Sequence, residues 1–142
     1  VGTMGTILTS DDNGVTWSEL PQLANNELND VTWDGNQFIA VGSDDTILFS
    51  DDGAIWSPFS PGTSDITFVA VTRGDAAVPT DPVLATVGSS GDFVVLDSAT
   101  VLKIETGTSE KLSGIAWVDD GATPGYFVMV GNGGTVLTNQ YQ

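Results

Sequence analysis

The sequence predicts an all-β chain: a β-propeller of four-stranded antiparallel blades, with about three to three and a half blades present and the ring incomplete. Three observations lead there. The first is composition. Of 19 acidic residues 15 are Asp, and they are joined by 17 Gly and 6 Pro; all three are turn formers and poor helix residues. The segments between them favour Val, Ile, Thr, Phe and Trp, which suit strands, and no segment carries a helical period. The second is a repeat: Val-Gly recurs at Val1-Gly2, Val41-Gly42, Val87-Gly88 and Val130-Gly131, with spacings of 40, 46 and 43 residues. The third is an ordered set of four short apolar runs in each interval, the pattern and period of a propeller blade.

The elements follow in order along each unit. A first strand is expected at Asp30–Trp33, Phe68–Val71 and Gly114–Trp117. A second leads into each Val-Gly pair, at Phe38–Ala40, Val83–Thr86 and Tyr126–Met129. After a small polar turn comes a β-branched third strand, at Thr6–Leu8, Thr46–Phe49, Phe93–Leu96 and Thr135–Leu137. A fourth is expected at Val15–Trp17, Ala54–Trp56 and Val101–Ile104. This partitions the chain into a partial blade 1–29, blades 30–65 and 66–112, and a partial blade 113–142. Both ends then fall inside a blade, and closed propellers need about 4–8 blades. The remaining blades are therefore expected from the same polypeptide or from another copy.

Charge and missing residue types narrow the function. There are 3 Lys and Arg, no His and no Cys, for a net charge of −16. Without His or Cys the chain has no imidazole base, thiolate nucleophile, disulfide or zinc cluster. The acidity argues against nucleic acid and anionic membranes, which are held by Lys and Arg. No apolar run approaches the roughly 20 residues that span a bilayer. The start at Val1, with neither Met nor a signal peptide, suggests a processed or excised piece. So acidic a surface suits an extracellular, cell-surface or periplasmic setting.

The most specific motif joins the third and fourth strands. Ser10-Asp11-Asp12-Asn13-Gly14-Val15-Thr16-Trp17 fits Ser-x-Asp-x-Gly-x-Thr-Trp. A second copy at residues 50–56 keeps Ser50, Asp52, Gly53 and Trp56 but is one residue shorter, and a third at 96–100 has lost Gly and Trp. Local chemistry accounts for the pattern. Gly14 supplies a left-handed turn residue, the Asp12 carboxylate can accept backbone N–H groups with Ser10 behind it, and Trp17 buries a large flat surface. A calcium site built from Asp11, Asp12 and Asn13 is the alternative, although the segment lacks the length and terminal Glu of an EF-hand. The motif resembles the Asp-box, or BNR repeat, of sialidases, sortilin-like receptors, xyloglucanases and photosystem II assembly-factor propellers. The longer phrase from Val1 to Trp17 is most similar to the assembly-factor, or stability-factor-like, branch. That resemblance implies a structural turn and a ring that holds a protein partner.

Catalytic readings fare less well. A sialidase needs an arginine cluster on the substrate carboxylate, and Arg73 is the single Arg here, so Tyr126 or Tyr141 as nucleophile has nothing to work with. A glycosidase needs two poised carboxylates, yet nearly all the acids stand in Asp-Asp, Asp-Gly or Asn-Asp turn contexts. Asp44, Asp45, Ser89, Ser90, Asp92 and Asn132 fall in turns after the second strand and form a candidate binding rim for a basic protein or a cation, with the connections 21–29 and 58–65 on the same side. The Asp119-Asp120 pair poses the same choice between solvated turn and docking group. Trp33 and Trp117 occupy matching positions on first strands, with Val71 between them in the series; they suit packing between blades, or stacking of a glycan. Arg73-Gly74-Asp75 is an RGD tripeptide in an expected loop. The sequence thus points to a non-catalytic, protein-binding or surface-structural scaffold with no required cofactor. The alternative is part of a carbohydrate-active propeller.

Overall fold

The computed structural model describes residues 1–22, 25–75, 82–97, 100–119, 121 and 125–140, with the backbone alone at 82 and 140. Among the described residues there are thirteen strands in four antiparallel sheets, and no α-helix. β1 (Leu8–Thr9) and β2 (Ser18–Glu19) form the first sheet. The second contains β3 (Leu28–Trp33), β4 (Phe38–Gly42), β5 (Ile47–Ser50) and β6 (Ser57–Phe59). The third contains β7 (Phe68–Asp75), β8 (Pro82–Gly88), β9 (Phe93–Leu96) and β10 (Val101–Ile104). The fourth contains β11 (Leu112–Val118), β12 (Tyr126–Gly131) and β13 (Val136–Gln140). Strands pair in chain order, so every sheet is a meander, and two of the four have the four strands expected of a blade.

Register makes the sheets equivalent residue by residue. Leu28, Phe68 and Leu112 each pair with the repeat glycine, Gly42, Gly88 and Gly131, and each is followed by a shift in register at the next residue. Beyond this bulge, Trp33 faces Phe38, Arg73 faces Leu84 and Trp117 faces Phe127. The residue matching the two tryptophans is therefore Arg73, not Val71. Counting from the expected strand starts misaligned β7 by two residues, because that strand begins opposite Leu28 rather than opposite Asp30.

Packing follows from the alternation of side chains across each strand. Ala40 and Leu48 face the first sheet, joining Ile7, Leu28 and Trp56 in one core. Ile39, Val41 and Ile47 face the third, against Ile66, Phe68, Val71, Leu84, Val94 and Leu96. Val83, Ala85, Val87, Phe93 and Val95 pack on Leu112, Phe127 and Met129 of the fourth. Each core draws on two consecutive sheets, and the middle sheets are covered on both faces. This is why β9 is apolar and buried throughout. The first strands lie side by side in space: the Asn29 side-chain amide donates to Phe68 O (2.8 Å), and Val71 N donates to the Asp30 carboxylate (2.9 Å).

Two expected elements move. Val15–Trp17 and Ala54–Trp56 are not strands; β2 and β6 begin one residue after each tryptophan. The amides of Val15 and Thr16, and those of Ala54 and Ile55, are taken by aspartate carboxylates and cannot join a ladder. Arg73-Gly74-Asp75 lies within β7 rather than in a loop, paired with Leu84, Val83 and Pro82. Arg73 and Asp75 form an ion pair with each other.

Candidate functional site

The turns between second and third strands share one construction. Gly2, Gly42, Gly88 and Gly131 each donate through N–H to the carbonyl four residues on (2.9–3.0 Å). Met4-Gly5, Asp44-Asp45 and Gly133-Gly134 all have positive φ, the backbone of a tight turn matched to strand twist. Asp is among the few non-glycine types that tolerate this conformation. The residue after the glycine then donates back to the start of its own sheet: Ser43 N to Glu27 O, Ser89 N to Thr67 O and Asn132 N to Lys111 O (2.9–3.0 Å). The turns therefore sit together with the connections that enter each sheet, and the two form one edge of the stack.

The six expected rim residues divide into two groups on this edge. Asp45 is an anchor. Its carboxylate accepts from Thr63 Oγ1 (2.6 Å), Asp65 N (2.8 Å) and Ile66 N (3.1 Å), tying the β4–β5 turn to the connection before β7. Asp92 is buried, takes the Lys103 ammonium at 2.9 Å and accepts from Ser90 N. The hydrogen bond and charge of Asp92 push the Lys103 ammonium above its usual range. Asp44, Ser90 and Asn132 are exposed, and Ser89 is half-buried. Nothing in the sequence singled out Asp45 as an anchor, because its partners lie 18 to 21 residues away.

The two complete Ser–Asp turns are closed knots of hydrogen bonds. In the first, Asp12 Oδ1 accepts from Val15 N (3.0 Å), Thr16 N (2.8 Å) and Ser10 Oγ (2.9 Å), while Thr16 Oγ1 donates to Oδ2 at 2.6 Å. Gly14 N donates to Ser10 Oγ, and Trp17 Nε1 donates to Gly14 O. These donors, the Thr16 hydroxyl first, hold the Asp12 carboxyl down at about 2. The second turn repeats the plan with Asp52 on Ala54 N and Ile55 N (2.8 Å each), Gly53 N on Ser50 Oγ, and Trp56 Nε1 on Gly53 O. The Ile55 and Ala54 amides lower the Asp52 carboxyl as well. The third copy retains a shorter version: Thr100 N and Oγ1 both donate to the Asp97 carboxylate.

This geometry bears on the calcium alternative. Both oxygens of Asp12 already accept protein donors, and Asp11 and Asn13 are exposed. Among the described residues no group of three or more acidic side chains is arranged to hold a metal. Asp119 accepts from Gly121 N in a local turn; Asp120 and Tyr141 lie outside the described residues. Arg73 reaches back over the second sheet, its guanidinium lying against Gly35.

Elsewhere, a groove of about 400 Å³ opens between the first two sheets, walled by Leu8, Trp17, Val31, Phe38 and Trp56. Trp17, which lines the groove, is 60% exposed, and Trp33, packed on the lining residue Phe38, is 46% exposed. Compared with family models, with curated proteins and with solved structures, the chain has no match.

Proposed function

We propose that this chain is a non-catalytic β-propeller segment of Asp-box type that serves as a protein-binding or assembly scaffold and meets a basic partner on its turn edge. The observation that carries the reading is the division of labour along that edge. Asp45 and Asp92 are committed to anchoring, which fixes the backbone of successive turns. Asp44, Ser90 and Asn132 are held outward on this rigid frame. Exposed groups on a fixed scaffold bind with little ordering cost. A net charge of −16 raises the encounter rate with cationic surfaces at low salt. The same sources of acidity and the repeat chemistry support a ring completed by further blades and an extracytoplasmic setting.

A labelled oligolysine peptide is the probe. Binding should weaken several-fold on Asp44→Asn and vanish near 1 M salt, where the screening length is about 3 Å. Equal binding by the wild type and Asp44→Asn would remove the turn edge from the reading. The carbohydrate-active alternative draws on the exposure of Trp17 and Trp33. Hydrolysis of a glycan, abolished by a single Asp→Asn change, would establish it in place of the scaffold.

A further inference from the structure

We infer that the groove between β1 and the second sheet is the seat of a two-stranded β-segment with the repeat's own first- and second-strand pattern, carried by the polypeptide directly ahead of Val1. Equivalent positions in other sheets show how such a seat looks when filled. Trp117 lies on β7, so close that a Cβ on Gly74 would come within 2.8 Å of its ring. Arg73, at the same position one sheet earlier, lies on the β3–β4 hairpin, where a Cβ on Gly35 would meet its Nη1 at 2.8 Å. Each leans on the preceding sheet. Trp33 is the third member of the series; it touches Phe38 of its own sheet and is 46% exposed on the side of the first sheet.

Two further comparisons agree. Trp56 is 7% exposed and faces Phe38 on the second strand of its own sheet, with ring centroids 6.4 Å apart. Trp17 at the same motif position is 60% exposed, in a sheet where no second strand lies beside β1 among the described residues. A Cβ on Gly42 would stand 1.9 Å from Glu27 O, on Gly131 2.3 Å from Lys111 O and on Gly88 3.0 Å from Thr67 O; on Gly2 it would meet nothing within 4 Å. At all three repeat glycines the residue just ahead of a first strand is a close neighbour, joined at Gly88 by the Asp92 side chain at 2.8 Å. At Gly2 that place is open. β1 also pairs on one side alone among the described residues, whereas β5 and β9 pair on both.

The occupant follows from the backbone at Gly2. Its N–H already donates to Thr6 O at 2.9 Å, as Gly42, Gly88 and Gly131 do at the ends of β4, β8 and β12. A second strand joined to Val1 by a peptide bond therefore arrives beside β1 in register, with no linker. A second copy would bring another −16 against the same charge, which opposes association. The residues that line the seat do not include Asp44, Ser90 or Asn132, so the seat and the binding of a basic partner can fail independently.

The test grafts residues 111–129 directly ahead of Val1, so that Val1-Gly2 takes the place of Val130-Gly131 behind a complete strand pair. The thermal midpoint should rise by several degrees over a graft of scrambled sequence, and the emission of Trp17 and Trp33 should shift to the blue. Gly2→Ala provides the second arm. It should leave the unmodified chain's midpoint unchanged, since its Cβ enters open space, yet erase the gain in the grafted chain. No gain over the scrambled graft, or a gain indifferent to Gly2→Ala, would overturn the proposal. So would concentration-dependent dimerisation of the unmodified chain that Trp17→Ser disperses, because the occupant would then be a second copy.

Discussion

The two Ser–Asp turns differ in almost nothing local and in almost everything at a distance. Both wrap an aspartate with backbone N–H groups and both close with an indole N–H on the glycine carbonyl. Yet Trp56 is 7% exposed and Trp17 60%. The short segment thus encodes the turn and aims the tryptophan; the neighbouring strands decide whether that tryptophan stabilises anything. Hydrophobic gain scales with area removed from water, and a correctly aimed ring left in solvent gains little.

The contrast can be broken most visibly at the rings. Trp56→Ala should destabilise the chain by about 3–5 kcal/mol, the range for a large buried side chain, whereas Trp17→Ala should cost under about 0.5 kcal/mol, as surface substitutions do. Denaturant midpoints of the two variants measure the difference directly. Next in size is the clamp. Asp45→Ala strands the amides of Asp65 and Ile66 and should cost about 1–3 kcal/mol, while the adjacent Asp44→Ala removes no described hydrogen bond and should cost about 1 kcal/mol at most, for its left-handed backbone. At the level of the turn itself, Gly14→Ala and Gly53→Ala should lose similar amounts, about 1–2 kcal/mol each, because both glycines have positive φ. Unequal losses would show that the turns are less alike than their hydrogen bonds.

The finest difference lies in acid. The first turn has a threonine hydroxyl on its carboxylate, and the shorter second turn has no counterpart. Asp12 is lowered from 3.8 to about 2. Its contribution to stability is therefore complete above pH 3.8 and is lost as the pH falls towards 2. In a carboxyl-carbon NMR titration, Thr16→Val should move the Asp12 midpoint back up and leave Asp52 where it was. A parallel shift of both would contradict the independence of the two turns.

Much of the strand pattern was legible, because the Val-Gly period and β-branched runs are local signals that recur. Of the three expected fourth strands, Val101–Ile104 is found as β10, while the other two lie three residues further on, since Thr16-Trp17 and Ile55-Trp56 have strand propensity whether their amides face a ladder or a carboxylate. The Val71-for-Arg73 misalignment has another origin: the expected starts at Asp30 and Gly114 leave out the first two residues of β3 and β11, a leucine and a polar bulge residue without a local strand signal, whereas the expected start at Phe68 is the true start of β7. At the turn edge the sequence offered six residues of one kind, and the fold divides them. Asp45 and Asp92 are recruited by groups far along the chain, and such long-range pairing leaves no mark on the local pattern. Arg73-Gly74-Asp75 shows the converse, a polar, glycine-containing stretch that reads locally as a loop and is held in β7 by its partners Leu84, Val83 and Pro82.

The arrangement of three cores, each shared by two consecutive sheets, has a consequence for how the molecule comes apart. Opening an end sheet sacrifices one core; opening a middle sheet sacrifices two. Unfolding under native conditions should therefore begin as fraying at the first sheet, whose two short strands are flanked by Ile7 and Leu20, their contribution to a single core. Amide exchange will then be graded by position in the stack, as in proteins built of nearest-neighbour layers. The slowest protons should lie on β8 and β9, where Ala85, Val87, Phe93 and Val94 are sealed between two cores.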